Sequence, residues 1–355
     1  MASLPTRRSP RPDPAPDPVK QAERWFLSHG LTYFVPSVRA SVREGLAPRR
    51  MLPTALVVLV VAAAAGYGAV LLDQESSIPA IIASSVGIGA LSYAFTALHA
   101  RGIVLWALGR TFGSLKLLVP MASRALPLLL VFVTFLFINA EVWQMTSALA
   151  PGLLWLTVLL LLALAVMFLI VRLPEEVDRV DDAVDASFIL RATRGTPLAA
   201  PARALIDAGA TPSLRATVRG YDRWNLILVL LVVQVGQVIL LAVAVFGFFL
   251  VFGALVMTEG VQESWTAQAG VDSLPFLPNA SVELLKVSLF LAAFSGLYFT
   301  VSAVTDDTYR SQFFASVTEE LERAVGMRAV YLTLREAPDR PGSPGSPDSP
   351  HSPSA

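Results

Sequence analysis

The sequence predicts an all-α membrane protein. The expected fold is a six-transmembrane-helix bundle, N-in/C-in, with an inner-leaflet amphipathic helix and a cytoplasmic C-terminal helix. Three observations carry this. Hydrophobic residues make up 54% of the 355 and charged residues only 15%, against about 25% charged in a soluble domain. Six apolar stretches each approach the roughly 20 residues that a helix needs to cross a bilayer. Lysine and arginine are sorted to one side of those stretches.

The stretches are Leu52–Leu72, Ile78–Leu98, Leu126–Met145, Gly152–Val171, Leu226–Met257 and Ser281–Val304. Helices are the default because each satisfies its own backbone in lipid. The short alternating segments of a β-barrel are absent. Outside the stretches, nine Lys and Arg precede Leu52, four fall in Ala100–Ala125, eight in Arg172–Asn225 and five after Val304. The connections Asp73–Ser77, Thr146–Pro151 and Thr258–Ala280 carry none, and hold Asp73, Glu75, Glu259, Glu263 and Asp272 instead. The positive-inside rule makes the basic face cytoplasmic and places both termini there. Leu226–Met257, 32 residues long, is read as one tilted or extended span; splitting it would break the charge pattern.

Taken in order, residues 1–19 form a disordered tail by composition and 20–51 a cytoplasmic juxtamembrane segment. Gly102–Val119, between spans two and three, is interrupted by Arg110 and Lys116. It reads as an in-plane helix with a basic face of Arg101, Arg110, Lys116 and Arg124 toward anionic inner-leaflet lipids and an apolar side of Val104, Leu108, Phe112 and Leu115. The alternative is a helix packed on the other spans, with glycines allowing close approach. The loop 173–224 opens with six acids between Glu175 and Asp185, which suit a helix start. The loop has too few large apolar groups to fold alone. After the last span, Phe314, Val317, Leu321 and Val325 recur at helical spacing over 305–335. Ala329–Leu334 resembles a short strand. Residues 336–355 form a Ser-Pro tail expected to be disordered.

Ionisable groups inside a span demand an explanation. Two lie away from span ends: Glu141 in the third and Lys286 in the sixth. At 1.5 Å per residue, Glu141 is about 22 Å from the inner edge and Lys286 about 8 Å from the outer one, a matched depth. An interhelical Glu141–Lys286 ion pair is expected, and a double charge swap should restore what either single swap breaks. Asn139, Gln144, Gln234 and Gln237 add polarity, as interhelical hydrogen bonds or as a possible polar lining.

There is no cysteine, which excludes disulfides and thiol chemistry. His29, His99 and His351 make no metal spacing, and no cofactor, metal or nucleic acid is expected. The runs RWFLSHGLTYFVP (Arg24–Pro36), ALPLLLVFVTFLFINAEVWQ (Ala125–Gln144) and DDTYRSQFFASVTEELERAVGMRAVYLTLR (Asp306–Arg335) resemble a family of uncharacterised integral membrane proteins from high-GC actinobacteria. The resemblance implies a plasma-membrane location and gives no residue a role. Three readings compete: a non-enzymatic protein that assembles with itself or with partners, a channel or secondary transporter, and, least favoured, an intramembrane enzyme.

Overall fold

Proline sets the helix starts. Pro18, Pro36, Pro48 and Pro151 each occupy the first position of a helix, where a missing N–H costs nothing. The computed structural model describes residues 17–113, 130–268, 270–274, 279–305 and 307–336, with the side chains of 112, 113, 304 and 307–317 outside that description. Fourteen α-helices occur among these residues: α1 (Pro18–Ser28), α2 (Pro36–Gly45), α3 (Pro48–Leu71), α4 (Ile78–Thr96), α5 (Ala100–Gly113), α6 (Leu130–Phe137), α7 (Ala140–Ser147), α8 (Pro151–Asp182), α9 (Ala186–Ala192), α10 (Ala199–Asp207), α11 (Tyr221–Val256), α12 (Glu259–Thr266), α13 (Val282–Thr305) and α14 (Asp307–Glu336). Five are long and apolar enough to cross a membrane, or six if the bent pair α6–α7 counts as one span. The chain is an all-α membrane bundle.

At its centre α11 packs against α13, α8 and α5, and α13 against α8. The hairpin α3–α4 lies at the edge and meets the rest mainly through α4 on α8. That contact is tight. A Cβ on Gly152 would sit 2.4 Å from the Ser77 Cα, and Trp155 Nε1 donates to Ser84 Oγ at 3.0 Å. Backbone cannot yield to a methyl group as a side chain can. Gly152→Ala is therefore expected to cost about 1–3 kcal/mol as overpacking, read as a lowered unfolding midpoint in detergent. Gly68→Ala, with open space around it, is the control that leaves the midpoint unchanged.

Several elements differ from expectation. The third span, Leu126–Met145, does not run through as one helix: its described part bends by 70° between α6 and α7. Asn139 causes the break. Its Oδ1 accepts from the N–H of Glu141 (2.9 Å) and of Val142 (3.4 Å), starting a new helix as an N-cap. Trp143 Nε1 donates to the Phe137 carbonyl at 2.7 Å, satisfying an acceptor that the break exposes. Residues 114–129 lie outside the description, so the start of that span is not placed.

The fourth apolar stretch does not stop near Val171; α8 continues to Asp182 through Pro174. Glu175, Glu176, Asp178, Asp181 and Asp182 thus fall in its last turns, the unfavourable end of the dipole. Cations and backbone donors offset this. Arg172 pairs with Glu175, Arg179 with Glu176, and Arg223 with Asp178 at 2.9 Å. The Val218 N–H donates to Asp181 at 3.2 Å. Only Asp185 stands at a helix start, capping α9 through the Phe188 N–H at 2.6 Å. That bond holds its carboxyl below the usual range.

Ala329–Leu334 is helix, not strand, and belongs to α14. Ala324, Val325, Met327, Ala329, Val330 and Tyr331 are all buried, so tertiary packing overrides the local preference of Val, Tyr and Thr for strands. Helix α5 follows the packed alternative. Ile103, Ala107 and Thr111, one turn apart, are buried, while Leu105 and Leu108 face outward. Leu108, on the side expected to face acyl chains, is exposed, and a different side of α5 packs on the bundle. Helix α1 already begins at Pro18, so the last two residues of the expected tail are helical, with Asp17 Oδ1 capping Val19 N–H at 3.0 Å.

The loop 173–224 does not fold alone. It shares one core with the N-terminal segment and α14, in which Phe26, Phe34, Leu173, Ile189, Leu198, Val325 and Tyr331 are buried together. This layer closes the basic end of the bundle. A second cluster, with Val133, Phe137, Trp143, Val245, Phe249, Val287 and Leu291, fills the opposite, acidic end.

Candidate functional site

Where the basic-end layer meets the bundle, α1, α5, α11 and α14 enclose a cavity of about 30 Å³. Trp25, His29 and Trp106 wall one side, and Leu230, Val233 and Gln237 the other. Arg110 and Glu320 close it with an ion pair at 3.1 Å. Arg323 lies 3.8 Å from the same carboxylate. Trp25 stacks on His29 with ring centroids 4.0 Å apart. His29 Nδ1 lies 2.8 Å from the Trp25 carbonyl. That oxygen can only accept, so Nδ1 carries a proton.

Two polar atoms of the lining, and the amide of nearby Gln234, lack hydrogen-bond partners. Arg110 Nε and Gln237 Oε1 are buried without a hydrogen bond, and so are both ends of the Gln234 amide, three residues before Gln237. An orphaned donor and an orphaned acceptor beside a cavity of this size suit about two waters. The space is too small for a metabolite. Among the described residues no three His, Asp or Glu side chains are grouped to hold a metal.

Beyond Gln237, toward the acidic end, the described residues include a large apolar cluster. Along α11 come Val245 and Phe249, and along α13 Val287 and Leu291, all packed on Val133 and Phe137 of α6. Neither Gln237 nor Lys286 belongs to this apolar cluster.

The expected Glu141–Lys286 ion pair does not form. Lys286 Nζ donates to the carbonyls of Ser147 (2.9 Å) and Leu149 (3.0 Å). These lie at the C-terminal end of α7, where carbonyls lack intrahelical partners and the dipole favours a cation. Glu141 sits exposed in the first turn of α7, the end that favours an anion. Breaking the third span at Asn139 moved the two groups to opposite ends of one short helix.

The possible polar lining divides in the same way. Asn139 caps α7 and Gln144 is exposed, whereas Gln234 and Gln237 are buried. Of the basic face, Arg101 is exposed, Arg110 is held by Glu320, and Lys116 and Arg124 lie outside the described residues.

Sequence reasoning passed over the most heavily bonded polar groups. Asp222, in the first turn of α11, is 4% exposed. Its Oδ2 accepts from Arg328 Nε at 2.8 Å. Its Oδ1 is 2.7 Å from Arg39 Nη2, an ion pair whose geometry falls short of a hydrogen bond. Arg328 also donates to the carbonyls of Arg215, Ala216 and Thr217 and lies 5.9 Å over the Phe34 ring. One turn on, Asn225 is fully buried, accepting from the Tyr33 N–H at 2.7 Å and donating to the Gly30 carbonyl at 3.0 Å. Tyr331 donates to Glu23 at 2.8 Å. Burial first, then that carboxylate, push the phenol up to about 12, so it remains a neutral donor at physiological pH. The available signal was Asp222 itself, the acid closest to the start of an apolar stretch on the basic side.

Comparison with models of known protein families, with curated proteins and with solved structures yields no match. Function rests on the geometry alone.

Proposed function

We propose that the chain is a non-enzymatic plasma-membrane protein, with both termini cytoplasmic, that assembles with copies of itself or with cytoplasmic or membrane partners. One observation carries this: the N-terminal segment, the inner loop and α14 are built into a single core that continues into α8 and α11. So much ordered polar mass fixed to the bundle suits a presenting surface better than a gate. The apolar cluster of Val133, Phe137, Phe249 and Leu291 beyond Gln237 argues in the same direction.

A secondary transporter or channel is the second reading. The unbonded amide of Gln234, the unbonded Oε1 of Gln237 and the bent pair α6–α7 favour it, since broken helices and buried polar groups mark transport sites. Proteoliposomes holding the full chain decide between the two. On the assembly reading, ion and proton flux equals that of empty vesicles, and native mass spectrometry of the extracted chain shows a discrete oligomer or a stoichiometric partner. Flux that Gln237→Leu abolishes would overturn the reading. In intact cells, a tag at Ser76 is expected to be reachable from outside and one at Ala210 hidden.

A further inference from the structure

A larger cavity, about 460 Å³, opens where three apolar helices end on the basic side. Tyr33, Leu46, Leu98, Tyr221, Trp224 and Leu228 line it. Leu46 stands two residues before α3, Leu98 two after α4, and Trp224 in the first turn of α11. These are the points at which each sequence changes from apolar to charged, the level of a bilayer surface. Trp224 is 58% exposed, and Trp and Tyr are enriched at that level because their rings are apolar with a polar edge.

No charged side chain lines the cavity itself, and the unpaired charge next to its lining residues in sequence is cationic. Arg43 follows the lining residue Val42, and Arg219 precedes the lining residue Gly220. Both are exposed, and neither has an ion pair among the described residues. Their neighbours differ: Arg39 is taken by Asp222, Arg50 by Glu44 and Arg223 by Asp178. No carboxylate lines the cavity. The Tyr33 hydroxyl is engaged, donating to the Leu98 carbonyl at 2.7 Å.

We propose that this crevice binds a phospholipid with an anionic headgroup from the leaflet on the basic side. An acyl chain fills the apolar walls between Leu46, Leu98 and Leu228, Trp224 stacks along its glycerol end, and the headgroup charge rests on Arg43 and Arg219. A zwitterionic lipid gains the same apolar contact and little from the two arginines, so headgroup charge sets the preference. This inference needs the membrane bundle and its charge asymmetry, and is independent of the assembly reading.

The test uses the full chain, one copy per nanodisc, in phosphatidylcholine. Quenching of Trp224 is taken as the difference between the native chain and Trp224→Phe, with either phosphatidylglycerol or phosphatidylcholine carrying brominated chains at equal mole fraction. Phosphatidylglycerol is expected to quench at roughly five-fold lower mole fraction for each arginine engaged. Arg43→Gln/Arg219→Gln is expected to remove that preference without moving the unfolding midpoint. Native mass spectrometry gives a second readout that does not depend on Trp224→Phe: phosphatidylglycerol retained over phosphatidylcholine by the native chain, and not by the double arginine variant. Equal quenching by the two lipids overturns the proposal, as does a preference that survives the double variant. Absence of Trp224 quenching indicates a crevice closed by protein, and relief of quenching by inorganic phosphate alone indicates a soluble-anion site; either result also overturns it.

Discussion

Asp222→Ala is expected to remove about 3–5 kcal/mol of stability, because it leaves buried guanidinium charge without its anion. The Arg328 side chain is 10% exposed and that of Asp222 5%, so water cannot replace the lost partner. Membership in a total of roughly 5–15 kcal/mol makes this a large fraction of the whole. The effect reaches beyond one contact, since Asp222 belongs to α11, Arg328 to α14 and Arg39 to α2. Losing the carboxylate removes the one anion that both arginines share. Arg39→Ala is expected to do far less: the Arg39 side chain is 37% exposed, and half-solvated pairs contribute about 0–1 kcal/mol. The combined change Asp222→Leu/Arg328→Met is expected to cost clearly less than the sum of its parts, because removing both charges leaves no unpaired ion. Unfolding midpoints of these three variants, and of the singles Asp222→Leu and Arg328→Met, in one detergent measure this. Equal midpoints for Asp222→Ala and Arg39→Ala would remove the triad from the account.

What the sequence revealed and what it hid follow from the range of each interaction. The span Leu226–Met257 was legible because hydropathy and flanking charge are properties of neighbours in sequence, and α11 is one unbroken helix. Gln234 and Gln237 stood out for the same reason, as amides in an apolar run. Arg110 was legible as basic, but its partner Glu320 lies on another helix, and no periodicity connects them. Arg39 and Arg328 were counted only among flanking cations, because sequence distinguishes a topogenic arginine from a buried one only through its partner. The break at Asn139 was hidden differently. A lone Asn in an apolar run reads equally as a helical polar residue or as a cap, and Trp143 satisfying the Phe137 carbonyl decides for the cap. In AVYLTL, local preference pointed to strand and the core around Val330 and Tyr331 imposed helix.

Lys286 gives the sharpest separation between the two accounts of the embedded charges. With a Glu141–Lys286 pair, Glu141→Lys and Lys286→Glu would both be damaging and the double swap would recover. With Lys286 bound to the Ser147 and Leu149 carbonyls, Glu141 is a bystander at the other end of α7. Glu141→Lys then loses only a favourable helix-end charge, about 0.3–1 kcal/mol. Lys286→Met leaves two carbonyls at the α7–α8 turn without their donor, about 1–3 kcal/mol for each acceptor that water does not reach. Lys286→Glu is worse, since it sets a carboxylate against those oxygens at the negative end of α7. It is expected to lower the yield of folded protein severely, because a partly buried charge without a partner costs several kcal/mol. The double swap is expected to be no better than Lys286→Glu alone, since a lysine at position 141 lies at the N-terminal end of α7 and cannot reach the carbonyls at its C-terminal end. Yield and unfolding midpoint of the four variants read this out. Recovery in the double swap would restore the ion pair and dismiss the carbonyl seat, whereas its failure leaves Lys286 as the clasp that holds the α7–α8 turn against α13.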